Sequence, residues 1–284
     1  FAQEAGRIQA GQFDLIPSFT SSMAYVDNVA YARDDDPEIY SWRATISPEL
    51  IAATQIDGNP FQVGYRLERG VFFSSSADDY TDHFIEASGE YELNSRHRVN
   101  AIAQYEDGHE ERGTGFSLGL GTAITTPDRY KSTSFGGEYS YGAVTSDGVV
   151  TLKANRETLD YDRSEQAYLI RDRVKNKVGA ELGYRIGSAT TALLDVTQTF
   201  VRYDNQTGIT TRDSDETRVL LGVRWESTAA TTGFAKVGYK EKDFEAASRS
   251  TFYGTDWEVG IEWRPISYST FRFSTNADTR ETNG

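Results

Sequence analysis

Apolar and charged residues alternate along much of this chain. Residues 215–228 place Val219, Leu221, Val223 and Trp225 on one parity and Arg218, Leu220, Gly222, Arg224 and Glu226 on the other. Residues 257–264 repeat the scheme, with Trp257, Val259, Ile261 and Trp263 set against Glu258, Gly260, Glu262 and Arg264. Successive side chains of a strand point to opposite faces, so each segment predicts a strand with one apolar and one charged face. The pattern predicts thirteen such strands, near 13–29, 39–56, 60–76, 83–94, 97–110, 131–144, 149–162, 176–187, 191–205, 215–227, 233–246, 252–264 and 268–280. Pro48 and Arg156 interrupt it and are expected to mark register breaks.

The connections alternate in length. Short ones fall at Asp57-Gly58-Asn59, Asn94-Ser95, 145–148, 187–190, 229–232 and 265–267, where Gly, Asn, Asp and Ser suit tight hairpins. Long ones fall at 30–38, 77–82, 111–130, 163–175, 206–214 and 247–251. Short turns on one side and long loops on the other mark an all-β, antiparallel transmembrane barrel of the outer-membrane type. A soluble sandwich or solenoid is the competing reading of the strands alone. The barrel reading makes 1–284 a single domain with a periplasmic segment at about 1–12, periplasmic turns and extracellular long loops. Phe271-Arg272-Phe273-Ser274 still alternates close to Gly284, so the complete protein is expected to have 14–18 strands, an even total being usual. Tyr91, Tyr141, Tyr184, Trp225, Trp263 and Tyr268 lie near short turns and are candidate lipid-interface aromatics. Tyr105, Tyr161, Tyr203, Tyr239 and Trp257 form a second level towards the long loops.

Composition sharpens this picture. With 38% hydrophobic residues and a mean hydropathy of −0.56, no stretch approaches the roughly 20 apolar residues of a spanning helix. Only helices and closed barrels satisfy every backbone group in lipid, so crossing must use strands. The absence of Cys excludes disulfides and thiolate metal sites. A net charge of −14 argues against nucleic acid as a partner. No basic and apolar leader opens the chain, so Phe1 reads as a mature N-terminus.

The polar parity carries the candidate chemistry. The expected pore-lining residues are Arg66, Glu68, Glu90, Arg98, Glu138, Lys153, Glu181, Arg185, Arg218, Arg224, Glu226, Lys236, Glu258, Glu262, Arg264 and Arg272. Glu86, Glu92, Asp195 and Lys240 share that face. Mixed signs predict ion-pair ladders between neighbouring strands and a hydrated lumen whose charges act on the permeant. The loop at 111–130 mixes Gly113, Gly115, Gly119 and Gly121 with Phe116, Leu118, Leu120 and Ile124, which makes it a candidate constriction. Its glycines lack the strand–turn–helix setting of a phosphate cradle. The acidic run Asp34-Asp35-Asp36-Pro37-Glu38 matches no calcium-loop spacing, and Asp78 and Asp79 are candidates for divalent bridging to lipopolysaccharide. His83, His97 and His109 have no nucleophile motif beside them, and Glu258 and Glu262, four residues apart on a strand, lie roughly 13 Å apart. No catalytic residue, metal or cofactor is expected.

Several segments taken together resemble the putative β-barrel porin 2 family of Gram-negative outer-membrane proteins. They are 78–83 (Asp-Asp-Tyr-Thr-Asp-His), 94–98 (Asn-Ser-Arg-His-Arg), 107–115, 221–226 (Leu-Gly-Val-Arg-Trp-Glu) and 263–271. The resemblance runs from about residue 60 onward. It implies an outer-membrane barrel associated with export or assembly of exopolysaccharide or capsule, with the lipid bilayer, lipopolysaccharide and polysaccharide export machinery as partners. General diffusion of small solutes and a plugged structural or adhesive barrel are the alternatives. No catalytic residue carries over from the family.

Overall fold

Fourteen strands form one antiparallel sheet in strict sequence order in this computed structural model. It describes residues 6–117, 123–143, 145–162, 171–204, 211–228, 231–266 and 269–277. The strands are β1 (Ile8–Ala10), β2 (Phe13–Val26), β3 (Ser41–Ile56), β4 (Asn59–Phe72), β5 (Tyr80–Asn94), β6 (His97–Glu110) and β7 (Asp128–Tyr141). Then follow β8 (Gly148–Tyr161), β9 (Arg173–Gly187), β10 (Thr190–Tyr203), β11 (Ser214–Thr228), β12 (Thr231–Phe244), β13 (Phe252–Ile266) and β14 (Ser269–Asn276). The alternation located thirteen of these. The three-residue β1 lies in the segment expected as a periplasmic lead-in, and it pairs Ile8–Ala10 against Leu15–Phe13. Such a short piece carries too little alternation to be seen in sequence.

The ladders explain why each segment is a strand. Neighbours hydrogen-bond, and outward parity presents Val219, Leu221 and Val223 on β11 and Val237 and Tyr239 on β12, all exposed. In a water-soluble fold so many exposed large apolar side chains would be costly. Against lipid they are the favourable face, and among the described residues no helix is long and apolar enough to cross a membrane. Trp257 and Trp263, both exposed, bound this face on β13, six residues or about 20 Å apart along the strand. Replacing the outward Leu221 with Arg should cost about 2–4 kcal/mol if it lies near the bilayer midplane. Urea unfolding from liposomes measures this, and an unchanged midpoint would place the residue outside the membrane.

Two expected register breaks are absent. The β7–β8 and β8–β9 ladders run without a shift past Arg156, whose guanidinium points outward and donates to Asn176 Oδ1 at 3.0 Å. Arg156 therefore belongs to a polar outward row beginning above Ala154, not to a slipped strand. Pro48 stays in register opposite Phe19, and β3–β4 pairing resumes in step on both sides of it, Ile46 opposite Arg69 and Glu49 opposite Arg66. The ring removes a donor without adding a residue. Where shifts do occur, at 92/94, 190/191, 225/228 and 263/266, they sit beside short turns. The turn at Asp57-Gly58 has φ of 51° and 80°, the paired positive values that a two-residue hairpin matched to strand twist requires.

The sheet curls on itself. A single cavity of about 1020 Å³ is lined by Gln9 of β1, Asp14 of β2, Glu90 of β5, Glu138 of β7, Asp195 of β10 and Glu258 of β13, among others. Residues so far apart in strand order can share one space only on the inside of a barrel wall. Among the described residues, β1 and β14 are the two edges of the sheet.

Candidate functional site on the concave face

The polar parity of the strands faces this interior. Cross-strand partners share a face, so Lys153, Gly179, Thr197, Arg218 and Lys240 line one row, and Gly222 stands opposite Lys236, itself opposite Glu258. All sixteen expected pore-lining residues fall on this parity of their strands. What the structure adds is which charges meet.

Lys236 is the centre of a network. Its Nζ lies 2.7 Å from Glu258, 3.1 Å from Asp195 and 3.5 Å from Glu181. Lys153 joins from β8 at 3.3 Å to Glu181 and 3.5 Å to Asp195, and Arg224 reaches Glu181 at 2.8 Å. Arg218 pairs with Glu258 and with Asp256 at 3.4 Å, while Lys240 holds Asp256 at 3.1 Å. Ladders between neighbouring strands were expected, yet several of these bonds skip one strand and Lys236–Glu181 skips two. Inward curvature brings their ends together, whereas a flat sheet would hold them about 10 Å or more apart. Asp256, only 1% exposed, is a member that the sequence reading missed.

The other expected lining residues are more local. Arg66 donates to Glu68 at 2.9 Å on its own strand and lies 3.8 Å over the Phe84 ring. Arg98 caps the Gly142 carbonyl at 3.0 Å. Arg264 and Arg272 both hold Glu262, at 2.5 and 2.7 Å. Arg185 and Glu226 line a smaller cavity of about 410 Å³ with Arg98, Glu181 and Arg224. Glu90 and Glu138 face the large cavity.

Towards the long connections the concave face carries tyrosines hydrogen-bonded to glutamates. Tyr80 donates to Glu68 at 2.9 Å, Tyr130 to Glu106 at 2.8 Å and Tyr161 to Glu110 at 2.8 Å. A Cβ on Gly70 would meet the Tyr80 ring at 2.2 Å, so glycine makes room for that ring across the strand. Tyr161 and Tyr203 were expected in an outward aromatic level. They are instead buried inside with Leu159 and Val201, because they share the concave parity. Tyr239 and Trp257 are outward and exposed, as are Tyr91, Tyr141, Tyr184 and Trp263; Trp225 is half-buried on the same side, and Tyr268 lies outside the described residues.

The segments at 27–40, 73–79, 111–117 and 123–127 pack against one another at this end. Arg112, 7% exposed, binds Asp78 at 2.6 and 2.5 Å and the Ile124 carbonyl at 3.0 Å. Glu111 accepts from Arg43 and from Tyr31, each at 2.9 Å, and the second bond raises the Tyr31 phenol above its ordinary range. Asp79 accepts from Arg69 at 3.2 Å and from the Phe72 N–H at 2.8 Å. Asp78 and Asp79, expected as divalent bridges to lipopolysaccharide, are thus satisfied within the chain. Of the candidate constriction, residues 118–122 lie outside the described residues. His83 and His97 bond Tyr65 and Tyr139, at 2.8 and 2.6 Å, and His109 bonds Asp82 at 2.8 Å while stacking on Tyr80.

A family model described as putative beta-barrel porin 2 matches residues 3–284. No curated protein matches the chain. Among solved structures, OmpT (in-vitro folded), an outer membrane protein of Vibrio cholerae, is 10% identical, with a TM-score of 0.42 over 95% of this chain and 100% of that one.

Proposed function

Because the chain belongs to the putative beta-barrel porin 2 family, we propose that its charged lumen is an outer-membrane passage for a polar permeant, and that the permeant is exopolysaccharide or capsule on its way to the surface. The observation that carries the passage is the cavity of about 1020 Å³, walled by charged and amide side chains from almost every strand. Such a wall keeps water and offers hydrogen bonds to a hydroxyl-rich solute, while the apolar outward face excludes water from the lipid side. The polysaccharide cargo follows from the resemblance. The alternation of short and long connections supports periplasmic turns and extracellular long segments in contact with lipopolysaccharide. Export machinery is the partner on the periplasmic side, and the barrel itself performs no catalysis.

Two measurements test this. Purified protein in planar bilayers should give stable conductance steps. Cells lacking the gene should lose surface polysaccharide; retained polysaccharide would defeat the cargo and leave general diffusion of small solutes.

The packed long segments favour a second reading, a barrel capped at that end. Deleting 114–126 should raise single-channel conductance severalfold if the cap restricts the passage. Unchanged conductance would sink the constriction.

A further inference from the structure

The large cavity carries uncommitted charges of opposite sign on separate strands. Glu90, Asn100, Glu138 and Lys153 are consecutive cross-strand partners on β5 to β8. The expected partner for Glu138 is Lys153, directly opposite. Lys153 turns instead to Glu181 and Asp195, at 3.3 and 3.5 Å, and so leaves Glu138 without it. Glu90 and Glu138 make no ion pair or side-chain hydrogen bond among the described residues, and both are exposed to the cavity. On β9, two strands from Glu138, Lys177 is exposed to the same cavity and has no carboxylate at ion-pair distance among the described residues. Arg218, a neighbouring lumen cation, is already committed to Asp256 and Glu258.

β7 and β9 are two strand spacings apart, roughly 10 Å, so the Glu138 carboxylate and the Lys177 ammonium face one solute-sized space, with Glu90 two strands beyond Glu138. The network around Lys236 joins five cations to four carboxylates, so most of its charge is paired and one positive charge is in excess. Gly136 and Gly179 add no side chains beside the two poles, and Lys153 and Asn155 of β8 lie between them on the same face.

We propose that this cavity is a binding station for dipolar solutes, with a cationic group resting at Glu90 and Glu138 and an anionic group at Lys177. A solute carrying one charge would satisfy one pole and meet repulsion from the other. The inference rests on the passage reading only in taking the concave face as the solute-contacting surface.

The test uses the full chain folded in detergent. Saturation-transfer NMR titrations compare 6-aminohexanoate with hexanoate and hexylammonium, each corrected against empty micelles. The dipolar probe should bind in the millimolar range, and each single-charge probe should bind at least several-fold more weakly. Because the poles are water-exposed, Glu138→Gln and Lys177→Gln should each weaken the dipolar probe by about threefold to tenfold. Both substitutions are at exposed positions, and heat-modifiable gel mobility verifies that the variants fold. Equal binding of hexanoate, or binding indifferent to both substitutions, overturns the proposal, as does absence of binding by folded wild-type protein. Conductance separates this from the passage reading. A conducting barrel without dipole preference defeats only the station, and a binding barrel that never conducts defeats only the passage.

Discussion

Arg112→Ala should open the long segments to protease while the barrel stays folded. Asp78 is 3% exposed and depends on Arg112 for two charge-assisted bonds. Removing one partner of a buried pair leaves an uncompensated charge and costs about 3–5 kcal/mol. The segments 73–79 and 111–117 can escape that cost by separating locally, because the strand ladders beneath them do not pass through Arg112. At about 1.4 kcal/mol per decade, local opening would rise roughly a hundredfold or more, and cleavage under limited proteolysis would rise with it. Asp78→Asn combined with Arg112→Ala should recover part of the loss, since the orphaned charge is then gone. Cleavage at the wild-type rate in Arg112→Ala would mean that the pair does not hold these segments together.

The second large effect is expected at Lys236. Its ammonium is shared by Glu258, Asp195 and Glu181. Lys236→Met removes the cation that these three carboxylates converge on, leaving Lys153, Arg218 and Arg224 to hold them. The wall is wetter than a closed core, so the lower end of the buried-pair range applies, about 3 kcal/mol. Denaturant unfolding from detergent should show it. A reversal-potential measurement under a salt gradient should shift towards cation selectivity, because the lumen loses one positive charge among fixed carboxylates. Lys236→Arg should keep both properties close to wild type. A variant with unaltered stability and selectivity would show that the network is only a solvated surface.

The residues that the sequence located well and those it misplaced differ in range. Val219, Leu221 and Val223 declare their face by parity alone, and Asp57-Gly58 declares a hairpin by the residues that tolerate positive φ. Tyr161 and Tyr203 were placed by their nearness to long connections, although their parity with Leu159 and Val201 already pointed inward. Arg156 looked like a register fault because it follows Leu152 and Ala154 on the apolar parity. The ladder shows that the outward face turns polar there without slipping.

Strand positions, their facing and the alternation of connections were determined by the sequence by itself. The physical reason is that a period of two, set against lipid on one side and water on the other, is written into each segment independently of the rest. Which cation meets which carboxylate was decided only by the tertiary structure. Lys236 and Glu181 sit three strands apart, and Arg112 and Asp78 lie thirty-four residues apart in sequence. Those pairings depend on how tightly the sheet curls and how the long segments fold over its end, and no local pattern of residues encodes either. The same curvature turns Lys153 away from Glu138 and leaves open charges of opposite sign around one cavity.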